Sequence, residues 1–158
     1  MLEIALLIRT VALALLAIPL ALTLVALPAR ADVVGKATVI DGNTLEIAGK
    51  RIRLYGVNAP ELGRSCRWPK EFIPCGRIAK AAAMDLVAGV DRVVCKTRGR
   101  DATGQWLAIC TADGFDIGLN LVHTGWALAD RRQSTIYGAV EDRARKAKRG
   151  LWKGQLVR

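Results

Sequence analysis

The chain has a single histidine, His123, and none of its four cysteines forms a C-x-x-C pair. Structural zinc sites draw on closely spaced Cys and His ligands, so the sequence argues against that class of fold. No internal repeat and no low-complexity linker interrupts it, which leaves one domain's worth of chain in 158 residues. Acidic residues are also in deficit, with 14 Asp and Glu against 24 Lys and Arg.

What is present begins with an apolar run. Val11 to Leu27 is almost unbroken Val, Ala, Leu and Ile behind a start containing Glu3 and Arg9, and it leads into Pro28-Ala29-Arg30-Ala31. That is the pattern of a secretory signal with an A-x-A cleavage site after Ala31. About seventeen apolar residues also reach the lower edge of spanning length, so an uncleaved membrane anchor is the alternative. Either way the domain, residues 32–158, is expected outside the cytoplasm, secreted or periplasmic. Its 22 basic and 13 acidic residues give a formal net charge of +9. Such an excess attracts polyanions, whether nucleic acid, anionic surface polymers or lipid head groups, through a term that weakens with salt.

Cys66, Cys75, Cys95 and Cys110 all lie in this exported part. An even count in an oxidising compartment predicts disulfides. Of three connectivities, the preferred one joins Cys66 to Cys75 within one loop and Cys95 to Cys110 across two neighbouring strands. Each would close a loop of roughly ten to fifteen residues and stabilise by about 3 kcal/mol in the chain-entropy model.

Short β-type runs follow Val33: Lys36 to Ile40, Thr44 to Ile47 and Arg51 to Val57. The turns Asp41-Gly42-Asn43 and Ala48-Gly49-Lys50 make them a meander, and Asn58-Ala59-Pro60 ends the third strand. A loop spans Leu62 to Gly76. Next comes a helix from Ile78 to Val87, with Ile78, Ala82 and Leu86 as its packing stripe. Strands at Arg92 to Thr97 and Gln105 to Thr111 flank the basic turn Arg98 to Gly104. Helices are expected from Ile117 to Thr124 and from Tyr137 to Lys148, stopped by Gly125 and Gly150. The sum is an α+β domain: a five-stranded β-barrel of the oligonucleotide/oligosaccharide-binding (OB) type with three packed helices, preceded by the N-terminal signal or anchor segment.

Four motifs then occur in order: D-G-x-T at Asp41 to Thr44, R-x(4)-N-x-P-E at Arg53 to Glu61, a glycine turn at Gly104, and R-G-L-W at Arg149 to Trp152. With these, residues 34–153 resemble a staphylococcal-nuclease-type thermonuclease domain. The resemblance implies a calcium ion held by Asp41, Asn43, Asn58 and the carbonyl of Ala59. It implies Glu61 as general base, Arg53 as one phosphate-clamping arginine, Gln105 at the place of a second, and Thr103 at the place of a nucleotide-stacking tyrosine. The chemistry explains the set. Negative charge grows on the phosphoryl oxygens as water attacks, so a cation and guanidinium forks stabilise the transition state while a carboxylate orients the water.

Three of those letters depart from the pattern. Asn43 and Asn58 are amides where carboxylates would hold the ion, and an amide oxygen can ligate calcium but brings no charge. Gln105 lacks the guanidinium fork. The resulting expectation is an exported thermonuclease-like domain with a degenerate metal and arginine site, binding nucleic acid or another polyanion with weak or no hydrolysis. It is expected to act as a monomer without a small-molecule cofactor, with calcium binding weak or lost. The alternatives are an active metal-dependent secreted nuclease of DNA or RNA, and an envelope interaction module in which the barrel is a scaffold. His123 reads as a packed or capping histidine. Trp68, set among Arg64, Arg67 and Lys70, is the best of the four tryptophans for ligand stacking.

Overall fold

The computed structural model describes residues 32–154; the segment read as a signal or anchor lies outside the described residues. Strands β1 (Val33–Gly35), β2 (Ala37–Val39), β3 (Thr44–Ile47), β4 (Lys50–Leu54), β8 (Val93–Arg100) and β9 (Trp106–Ala112) make one mixed sheet in the order β1-β8-β9-β4-β3-β2. A seventh strand, β10 (Phe115–Asp116), pairs with β9. The two ends of that path, β1 and β2, are consecutive in the chain with only Lys36 between them. The sheet therefore curls until its edges meet through covalent chain, rather than as the closed five-stranded barrel expected above. Three α-helices pack on it: α1 (Cys75–Val87), α2 (Ile117–Thr124) and α3 (Gly138–Lys146), followed by a 3₁₀ turn at Gly150–Lys153. Among the described residues no helix is long and apolar enough to cross a membrane.

Local chemistry explains the joints. Ile47 pairs with Lys50 across the two-residue loop Ala48-Gly49, whose φ angles of 51° and 70° are those of a hairpin turn matched to strand twist. Asp113-Gly114 makes the same kind of turn between β9 and β10. The third expected strand is broken in two. At Gly56 the backbone turns to φ 74°, its N–H donates to the Gln133 side chain and its carbonyl accepts from the Asp130 N–H (2.9 Å). Residues past the break form β5 (Val57–Asn58), which leaves the main sheet to pair with β11 (Leu128–Ala129).

Leu45, Ile47, Ile52, Leu54, Val93 and Leu121 lie wholly inside the core between sheet and helices. Helix α1 begins three residues earlier than expected, and its most buried stripe is Cys75, Ala79 and Ala83 rather than Ile78, Ala82 and Leu86. Alanines face inward there because the Asp41–Asn43 turn presses on them: a Cβ added to Gly42 would sit 2.9 Å from the Ala79 Cβ. Helix α3 ends at Lys146, two residues short of the expected stop, and Lys148 then takes a left-handed φ of 50°.

Both disulfides form with the preferred connectivity. Cys66–Cys75 closes the loop that holds the small hairpin β6 (Cys66–Arg67) and β7 (Phe72–Ile73), and Cys95–Cys110 joins directly opposed residues of β8 and β9. A second, smaller apolar cluster gathers Cys66, Ile73, Cys75 and Leu151, with Trp68 and Trp126 stacked at 6.4 Å against it. Trp68 is thus a packing residue.

Candidate functional site

The turn between β2 and β3 is built by its own side chains. Asp41 Oδ1 accepts from the Asn43 N–H (2.7 Å), an Asx turn that fixes the loop, and Leu54 N–H donates to the Asn43 carbonyl (2.7 Å), tying it to β4. Asn43 itself is buried, only 9% exposed. Its amide makes two bonds to one residue: Nδ2 donates to the Ala59 carbonyl (3.1 Å) and Oδ1 accepts from the Ala59 N–H (2.6 Å). The pairing fixes the amide's orientation, since the reverse would oppose donor to donor and acceptor to acceptor.

This bridge bears directly on the calcium set that the resemblance implies. The Ala59 carbonyl, meant as a ligand, already accepts a proton from Asn43, and the Asn43 side-chain oxygen already accepts one from Ala59. An Asp at position 43 would have no N–H to give. The amide therefore ties the two segments together directly. Asp41 is engaged in its turn, and Asn58, the remaining member, is exposed on the β5–β11 edge opposite Leu128. With Asp41 the one carboxylate of the implied set, the donors present are a poor fit for a calcium ion, and among the described residues no group of three or more His, Cys, Asp or Glu could hold a metal.

Arg53 lies on β4, paired with Thr44 on one side and Leu107 on the other. Because β4 and β9 run parallel, that register carries Gln105, just ahead of β9, toward the same end of the sheet. Between them sits a carboxylate that sequence reasoning did not single out. Asp101 Oδ1 accepts from Thr103 N–H (2.9 Å), Thr103 Oγ1 (2.6 Å) and Gln105 N–H (3.0 Å). Its pKa is held below the usual carboxylate value, first by the Thr103 hydroxyl, then by the two backbone N–H groups and the nearby charge of Arg53. The D-x-T-G-Q spacing, an Asx turn, was the available signal. Thr103 is fully engaged in holding this turn, and the adjacent Arg100 lies 3.6 Å over the Trp106 ring while donating to the Gly104 carbonyl (2.6 Å). Gln105 lines a shallow cleft with Lys50 and Arg51.

Glu61 is exposed just beyond β5, and among the described residues no hydrogen bond or ion pair engages its carboxylate. It forms no ion pair with Arg53. Its backbone is fixed from behind by Gly76 at the start of α1, where any side chain would collide with the Glu61 carbonyl. His123 is likewise exposed and contacts Arg149, whose Nη1 lies 3.1 Å from its ring Nε2 and 3.1 Å from its carbonyl oxygen.

The comparisons with known proteins agree with the motif order. Residues 51–154 match the family described as staphylococcal nuclease homologue. The succinoglycan biosynthesis protein ExoI of Rhizobium meliloti (strain 1021) is 34% identical over 131 residues, an alignment covering 80% of this chain and 68% of the relative. The family match takes in β4, Arg53, Glu61, the Asp101 turn and the closing R-G-L-W, whereas the Asp41–Asn43 turn lies just ahead of it. On this footing the chain belongs to the staphylococcal nuclease family.

Proposed function

We propose that this domain binds polyanions, nucleic acid first among them, and hydrolyses phosphodiester bonds weakly or not at all. The observation that carries the reading is the double hydrogen bond between Asn43 and Ala59, which puts an uncharged, already hydrogen-bonded amide where calcium would need a carboxylate. No catalytic step is assigned to a metal for that reason. What remains is Arg53, a fork able to clamp a phosphate, and Glu61, an unengaged carboxylate able to orient water. Gln105 supplies a neutral donor in place of the second fork, and losing a guanidinium that meets a phosphoryl transition state costs about 10³ to 10⁵ in rate in related systems. Export belongs to the same reading, supported by the four cysteines all being paired.

The relative's name favours a second reading, in which the bound polymer is a glycan and the domain serves its synthesis or handling at the envelope. One set of assays separates the cases. The purified chain is incubated with single-stranded DNA and RNA, with calcium and then with manganese or magnesium. Chelator-sensitive cleavage at enzyme-like rates that vanishes in Glu61→Ala would overturn the first reading. Binding to acidic glycan with none to nucleic acid at low salt would favour the second. Failure to bind any polyanion at low salt would leave the scaffold role.

A further inference from the structure

A cleft of ≈ 730 Å³ opens between β11, the loop after it, α3 and the 3₁₀ turn. Its size is that of a small-ligand site, roughly 300–1,000 Å³. Of the residues implied for the calcium and phosphate site only Asn58 reaches it, from β5; Asp41, Arg53, Glu61 and Gln105 do not line it.

The carboxylates in its wall are already engaged. Buried Glu141 accepts from Ala129 N–H (2.9 Å) and Arg131 Nε (2.8 Å), and Arg131 also donates to the Gly138 carbonyl (3.0 Å) and Asp142 (2.6 Å). Asp130 accepts from the N–H groups of Arg132 (3.2 Å) and Gln133 (3.3 Å). This network makes a braced floor in which one guanidinium, Arg131, is shared by two carboxylates and Asp130 is held by backbone N–H groups. The polar groups left over all offer N–H donors: the Asn58 amide, Arg132, Arg145, Lys148 and Trp152. Among the described residues Arg132 and Lys148 carry no ion pair, and Arg145 lies 5.4 Å over the Trp152 ring with no hydrogen bond from its N–H groups. The Trp152 indole N–H is buried with no hydrogen-bond partner among the described residues. A buried donor in that state costs about 1–3 kcal/mol until an acceptor reaches it.

We infer that this cleft binds a phosphomonoester group carried on a single ring-sized unit. Three cations and an amide exceed what the two oxygens of a carboxylate can use, whereas a phosphomonoester brings three terminal oxygens and a charge of about −1.5 to −2 near pH 7. The C-terminal dipole of α3, about half a charge, and the two carboxylate charges in excess of Arg131 oppose an anion here, and the three cations still exceed them. A concave site of this size takes one unit and excludes a duplex. A nucleotide and a sugar phosphate share the recognised chemistry.

The test is titration of the full chain with a nucleoside monophosphate, a hexose phosphate and glucuronate, followed by calorimetry and by the Trp152 indole N–H resonance, which Trp152→Phe identifies. A phosphate should shift that resonance, and the Arg132→Ala/Lys148→Ala double variant should weaken binding about tenfold or more. The charge-matched Arg92→Ala/Lys96→Ala pair on or beside β8 should leave it unchanged. Whichever phosphate binds tighter names the source. Glucuronate binding as tightly as both phosphates, a stationary indole resonance, or equal losses in the two double variants would overturn the assignment.

Discussion

Replacing Asn43 by Asp is the most direct probe of the bridge between the β2–β3 turn and Ala59. The change is isosteric, yet it removes the N–H that the Ala59 carbonyl accepts at 3.1 Å and sets a carboxylate oxygen against that carbonyl at a buried position. The lost hydrogen bond contributes about 1 kcal/mol, and the unpaired carbonyl costs about 1–3 kcal/mol more. A net loss of about 3 kcal/mol should lower Tm by about 10 °C for a domain of this size. Two dependences identify the cause. Burial and the facing carbonyl raise the pKa of the new carboxyl, so the penalty is complete above that raised value and fades as pH falls through it, when an O–H can again donate to Ala59. Calcium should relieve it too, since a ligand at a hundred times its Kd adds about 2.7 kcal/mol to the folded state. The assay is thermal denaturation in chelator and in calcium, at neutral and at acid pH. An Asn43→Asp chain as stable as the parent in chelator would refute the bridge, and so would calcium stabilising the parent by the same amount.

Four further outcomes follow from other parts of the structure. Combining Asn43→Asp with Asn58→Asp and Gln105→Arg should raise calcium affinity and phosphodiester cleavage together; no gain would mean that Asn58, on the β5–β11 edge, stands too far from the turn to share an ion. Tyr137→Phe removes a donor to both oxygens of Asp116 (3.0 and 2.8 Å), the residue that caps α2, and should cost about 1.5–3 kcal/mol in urea denaturation. In the parent the same burial, with the Asp116 charge, raises the Tyr137 pKa, so its phenol should stay protonated in spectrophotometric titration well past the usual tyrosine range. Because the folded pKa of Asp101 is depressed, its hold on the Thr103 and Gln105 amides is complete above the unfolded value of about 3.9 and is lost as pH falls through the lower folded value; amide shifts that titrate above that range would contradict the assignment. Cys95→Ala/Cys110→Ala should cost about 3 kcal/mol, read by denaturation without reductant, and a smaller loss than about 1 kcal/mol would assign the cross-strand stability to packing alone.

Turns, element order and cysteine pairing were legible in the sequence because each is set by residues near in the chain or by a strong pattern. Ala48-Gly49 sits between two β-type runs, Gly125 stops a helix, and Cys95 and Cys110 fall on strands separated by one turn. The family likeness was legible for the same reason, being a set of short motifs in order. Tertiary structure decided what distant residues do to one another. Nothing local to Gly56 announces that Gln133 and Asp130 will capture its backbone, split the strand and pair Asn58 with Leu128. Nothing near Glu141 says it will be buried beside Arg131 beneath a basic cleft. Asn43 is the sharpest case. By itself the sequence determined that an amide stands where the family places a carboxylate, and a charge was accordingly missing. Only the fold, by bringing residue 59 within hydrogen-bond reach of residue 43, determined that the amide's N–H donates to the Ala59 carbonyl, because a hydrogen bond depends on separation in space and not along the chain.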